Sequence, residues 1–133
     1  MNNKIFFLLL VLLVLPFLSF SQKSVKVGPK IVFTKTVHNY GTLKAGANGK
    51  AVFAFTNTGN APLLISSVSK SCGCISSDWP SQPILPGQQG EIVLVYDTNR
   101  EGAFEKYATV ACNAINESVV ALKLKGKVVT KQK

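Results

Sequence analysis

The sequence is short of the residues that catalysts use. It holds one histidine, His38, one tryptophan, Trp79, one methionine, Met1, and six acidic residues against fifteen basic ones. The acids, Asp78, Glu91, Asp97, Glu101, Glu105 and Glu117, are scattered, so spacing alone brings no two of them together as an acid and base pair. No serine near His38 sits in a nucleophile motif, and a strand-end histidine of this kind is expected to make a structural hydrogen bond. A single methionine excludes a methionine cluster for copper. The sequence has no helical apolar period, no internal repeat, no low-complexity tract and no long block of one charge. These absences argue against recognisable hydrolytic chemistry and predict a protein that is not an enzyme and carries no cofactor.

What is present begins at the N-terminus. Lys4 precedes an apolar run from Ile5 to Leu18, interrupted only by Pro16, and the small residues Ser19 and Ser21 follow. That is the plan of a secretory signal peptide over residues 1–21, with a cut before Gln22. A run of about fourteen residues falls short of the roughly 20 that cross a bilayer, so no membrane span is expected after cleavage and the mature chain is expected to be periplasmic or secreted. Of the 133 residues, 112 then remain, enough for one domain. Without Lys4 the balance is fourteen basic to six acidic residues, a net +8. In an exported protein that charge suits an anionic lipid, a polysaccharide or an acidic protein rather than nucleic acid, or it merely keeps a β protein soluble.

Past the leader, apolar residues alternate with period two in short runs divided by turn signals, the pattern of an all-β sandwich or barrel. Val32 to Val37 opens the domain and Tyr40-Gly41 ends its first strand. Ala51, Phe53 and Phe55 share one face of the next, and Asn57-Thr58-Gly59-Asn60 turns the chain through residues tolerant of positive φ. Leu63 to Val68 is a third strand. Ser76 to Gly90 reads as a long connection, with a type II turn at Leu85-Pro86-Gly87-Gln88. Glu91 to Asp97, Phe104 to Ala111 and Ser118 to Val128 complete the set. The domain spans residues 30–129, with tails at 22–29 and 130–133.

The order of motifs resembles a family of exported bacterial immunoglobulin-like domains of unknown function, itself similar to Hydin-type and PapD-like sandwiches. The resemblance rests on His38-Asn39-Tyr40-Gly41, Gly46, Phe55 with Asn57-Thr58-Gly59, Pro62-Leu63, Ser71-Cys72-Gly73-Cys74, Trp79-Pro80, Pro86-Gly87, Tyr96, Gly102 with Phe104 and Lys106, and Gly126. It implies a seven-stranded immunoglobulin-like β-sandwich and brings no activity, cofactor or catalytic residue with it. Asn39, Ile75 and Cys112 stand where the family pattern leads us to expect Asp, Thr and Ser.

Cys72-Gly73-Cys74 is the chemically sharpest feature, since two thiols one glycine apart can converge on a soft metal, pair, or exchange with other disulfides. In a seven-stranded sandwich Cys112 comes near this corner, so a bridge from Cys112 to Cys72 or Cys74 is the first expectation after export. Closing a loop of roughly 40 residues would contribute about 3–4 kcal/mol. The rival reading is a metal site in which Cys112 or His38 joins the pair. Trp79 is a candidate binding anchor or a cap on the core. Lys123, Lys125 and Lys127 line the outer face of the last strand, where they discourage edge pairing or meet an anionic surface. The reading that follows is a non-catalytic binding or scaffolding module engaging an envelope or extracellular macromolecule, with a soft-metal or thiol-active protein as the alternative.

Overall fold

The computed structural model describes residues 26–130, and the expected signal peptide and its cut lie outside them. The chain forms eight strands: β1 Ile31–Phe33, β2 Val37–Lys44, β3 Lys50–Asn57, β4 Ile65–Lys70, β5 Ile75–Asp78, β6 Gln89–Tyr96, β7 Gly102–Cys112 and β8 Val119–Val129. They make two four-stranded sheets, ordered β1-β3-β6-β5 and β2-β8-β7-β4, packed face to face. The alternation that marked the strands decides which side faces in. Phe53 and Phe55 of β3, Ile92 and Leu94 of β6, Val110 of β7, and Leu122 and Leu124 of β8 meet between the sheets, almost fully buried. Each such side chain contributes about 1.5–3 kcal/mol relative to exposure.

Eight strands stand where seven were expected, because the opening segment is two strands in different sheets and β5 lies in the stretch read as a connection. The Thr34 amide still donates to Ala54 of the first sheet, whereas the Thr36 carbonyl accepts from Lys123 of the second, so the chain changes sheets around Lys35. β2 then runs parallel to β8, with a bulge between Asn39 and Thr42. Gly41 takes φ 67° in that bulge and donates its amide to Asn39 Oδ1, which accounts for Asn39-Tyr40-Gly41 as a local unit.

The segment Ser76 to Gly90 is also more ordered than a plain connection. β5 pairs with β6, and Leu63 bridges Ile84. Only Ile75 of β5 is buried, so four residues rich in serine carry no readable period. The turn at Leu85 to Gln88 forms as expected: Gly87 has φ 82° and the Gln88 amide donates to the Leu85 carbonyl.

The turn after β3 forms for a different reason from the expected one. Among the described residues no non-glycine residue has positive φ. Asn57 works instead through its side chain: Oδ1 accepts from the amides of Lys30 and Gly59, and Nδ2 donates to the carbonyls of Ala61 and Ile84. Gly59 is needed for proximity, since a Cβ there would meet the Gly28 carbonyl oxygen at 2.3 Å. Gly28 and Pro29, placed in the expected N-terminal tail, are themselves buried.

Candidate functional site

The Cys72-Gly73-Cys74 corner carries the chain from the end of β4 in one sheet to the start of β5 in the other. Cys72 and Cys74 are joined as a disulfide, with Cα atoms 5.2 Å apart. The Asp97 amide donates to the Cys74 carbonyl at 2.8 Å, which ties the corner to the end of β6. On the β7 side, the Ser71 amide donates to the Tyr107 carbonyl and the Tyr107 amide to Ser71 Oγ. The pairing of Lys70 with Ala108 is therefore followed by a bonded Ser71, beyond which the chain bends away at Cys72, and Lys106 is the β7 residue next to Tyr107. Cys72 packs against the core and Lys106 lies between the buried inward positions Phe104 and Ala108, so both belong to the inner face.

The bridge expected from Cys112 does not form. Cys112 pairs with Ile65 at the far end of β4 and is a free thiol. Seven residues at about 3.3 Å each put it roughly 23 Å from Cys72, whereas a disulfide needs Cα atoms within about 7 Å. A three-residue loop stabilises far less than the expected long one, about 1–2 kcal/mol by the same chain-entropy scaling. The candidate metal set is separated too. His38 pairs with Leu124, and Leu124 with Lys106, so His38 lies three strand spacings, roughly 14 Å, from the corner. Among the described residues no three histidine, cysteine or acidic side chains gather as a metal site.

β4 is an edge strand, and the corner's hydrogen bonds fix which of its backbone groups are free. In an antiparallel ladder, hydrogen-bonded and non-bonded pairs alternate. Because Ser71 bonds to Tyr107, Ser69 and Ser67 also face β7, while Val68 and Lys70 turn their N–H and C=O groups outward. Ser67, Ser69 and Lys70 are exposed, and no bulge interrupts Ser67 to Lys70. The other edges are more guarded. β1 and β5 have three and four residues, and β2 is broken by its bulge.

The remaining candidates lie apart from this corner. Trp79 follows β5 and is half-buried, packed against the core. Lys123, Lys125 and Lys127 share the outer face of the second sheet with Glu105 and Tyr107. Lys123 Nζ lies 2.5 Å from Glu105 Oε1 and 5.7 Å from the centre of the Tyr107 ring, and hydrogen bonds from Lys123 and then the Tyr107 hydroxyl hold the exposed Glu105 carboxyl below its usual range. His38 accepts a hydrogen bond at Nδ1 from Lys35 Nζ, 2.8 Å away, which puts the ring proton on Nε2. Partial burial first, and the Lys35 charge second, lower its pKa. Its ring meets Tyr40 edge-on at 4.5 Å; Tyr40 leads to Phe104, and Phe104 stacks on Tyr96 at 3.8 Å. Tyr40 donates to the Gly49 carbonyl, and burial, then the nearby Tyr96 phenol, push its pKa up to about 12. Sequence reasoning missed that this stretch of β7, with Lys106 and Tyr107, runs up to the corner, since only the β4–β7 register brings it there.

The family described as "Protein of unknown function (DUF1573)" matches residues 31–128. No curated protein matches the chain. The structure is similar to a protein of unknown function from Porphyromonas gingivalis W83, with 18% identity and a TM-score of 0.66, covering 82% of this chain and 51% of that one. This chain thus spans about half the length of that structure. It is also similar to the ASH/PapD-like domain of human CEP192, with 12% identity, a TM-score of 0.61, and 86% and 97% of the two chains covered. A third likeness is to the YadV chaperone, with 17% identity, a TM-score of 0.54, and 74% and 52% covered. At these identities the likeness concerns the fold, an immunoglobulin- and PapD-like sandwich.

Proposed function

The chain belongs to the DUF1573 family of unknown function, and for this member we propose a non-catalytic binding module that takes an extended segment of another envelope or extracellular protein along the open edge of β4. One observation carries the reading: Val68 and Lys70 turn unpaired backbone groups outward from a flat stretch whose neighbours are small serines. An added strand gains main-chain hydrogen bonds there without needing a pocket or a reactive side chain. The signal-peptide pattern over residues 1–21 supports work outside the cytoplasm.

Lys70→Pro tests the edge directly. It removes an outward N–H, which no bond to β7 uses, and proline is tolerated at such edge positions. With a partner recovered from an envelope fraction, Lys70→Pro is expected to weaken binding at least tenfold while leaving the melting temperature close to wild type. Hydrogen exchange should show the Val68 and Lys70 amides protected in the wild-type complex. Undiminished binding by Lys70→Pro, with loss on replacing Lys123, Lys125 and Lys127 by alanine, would overturn the edge reading in favour of the lysine face.

A further inference from the structure

Cys72 and Cys74 stand in unlike surroundings although only Gly73 separates them. Cys74 is 2% exposed and its carbonyl is held by Asp97. Cys72 is half-buried where β4 ends. Gly73 is exposed, and a Cβ built on it would meet no atom within 4 Å, so the approach from that side is open. Two cationic residues flank this stretch of chain: Lys106, next to the Tyr107 whose backbone bonds Ser71, and Lys70, two residues before Cys72. The ring closed by the bond is only three residues long, so the fold gains little from it.

An accessible sulfur, neighbouring cations that favour its thiolate, and a second sulfur placed to close on it are the requirements of thiol–disulfide exchange. We propose that the Cys72–Cys74 pair is an exchange site for protein thiols, with Cys72 as the sulfur that is attacked and Cys74 as the resolving sulfur. A thiolate of a partner dithiol attacks Cys72 Sγ, forming a mixed disulfide and breaking the bond to Cys74, which leaves as a thiolate and takes a proton from water. The partner's second thiolate then attacks its own sulfur in the mixed disulfide and releases the Cys72 thiolate, which is protonated in turn. The partner dithiol is oxidised to a disulfide by two electrons, and Cys72 and Cys74 receive them as two thiols. Run in reverse, the reduced pair opens a partner disulfide, with Cys72 as nucleophile. Cys112, at the other end of β7, takes no part.

The test uses purified protein carrying Cys112→Ser, so that the corner supplies the only thiols. Cys74→Ser leaves Cys72 alone, and Cys72→Ser leaves Cys74 alone. Each is mixed with oxidised glutathione at neutral pH, and adduct formation is followed by intact mass. The Cys74→Ser protein is expected to form its adduct at least tenfold faster than the Cys72→Ser protein, and the difference should vanish in denaturant. Lys106→Met in the Cys74→Ser background should slow the reaction about threefold, and an unchanged rate would remove Lys106 from the site. Equal rates for the two folded cysteine variants, or faster reaction at Cys74, would overturn the assignment. A second reading leaves the pair intact: with an excess of reduced glutathione, the Cys112→Ser protein should open its disulfide while folded. A bond that opens only once the protein is denatured would make the pair structural and end the proposal.

Discussion

The two ends of the sandwich are closed by different means. At the end holding Asn57, Ile65 and Cys112, asparagine side chains hydrogen-bond to loop backbones. Asn57 makes four such bonds, Asn60 accepts from Gly28, Asn113 joins Leu64 and Pro62, and Asn116 both accepts from and donates to Ile31. At the end holding Lys50, Tyr96 and Cys72, closure rests on the disulfide corner, the aromatic row from His38 to Tyr96, and the hydroxyls of Tyr40 and Thr98 on the carbonyls of Gly49 and Ala47. The asparagine end uses each polar group to satisfy another, as buried backbone requires. The cysteine end places one covalent bond where little backbone depends on it. That difference is the ground on which we propose the exchange site at the cysteine end.

The comparison can be broken most severely at Asn57. Asn57→Ala would strand the amides of Lys30 and Gly59 and the carbonyl of Ala61, and leave the Ile84 carbonyl only its bond from Leu63, around a fully buried position, with an expected loss of about 3–4 kcal/mol. Urea unfolding would show the shift in midpoint, and a loss below about 1 kcal/mol would mean that these groups find other partners. A smaller effect is expected at the other end. Reducing the Cys72–Cys74 bond should cost no more than about 2 kcal/mol and leave the protein folded by circular dichroism. Global unfolding on reduction would place the corner among the structural supports. Acid should produce the smallest change. His38 titrates below its ordinary value of 6.5 in the folded chain, so the unfolded chain binds the proton more readily. Stability should therefore hold above about pH 6.5 and decline as pH falls through the lowered value, with His38→Gln flattening that slope in thermal melts. A slope unchanged by the substitution would assign the decline to other groups.

The sequence made the alternating strands legible because burial repeats every second residue. β3, β6 and β8 stand where Phe53, Ile92 and Leu122 mark an inner face, and the turn at Leu85 to Gln88 follows from Pro86 and Gly87. β5 was illegible, since a short edge strand with one buried isoleucine has no period to read. The division of β1 from β2 depends on Thr34 and Thr36 finding partners in different sheets, which no local pattern announces. The asparagine bonds join residues up to 85 positions apart, so a local turn pattern such as Asn57 to Asn60 does not announce their long-range work. The cysteines were visible as chemistry, but their pairing turned on distance along β4. Cys112 faces Ile65, at the opposite end of that strand from the corner, and only the register of β7 reveals it.

The parallel course of β2 beside β8 has a mechanical consequence. Ile31 lies at the asparagine end and Val129 at the cysteine end, with β2 and β8 running in the same direction between them. Tension drawn between those two points lies along both strands, so the bonds of that ladder share the load in shear and give way as a group. The same pull applied crosswise at β4 would open its ladder one bond at a time. The fold thus resists a lengthwise pull more strongly than a sideways one.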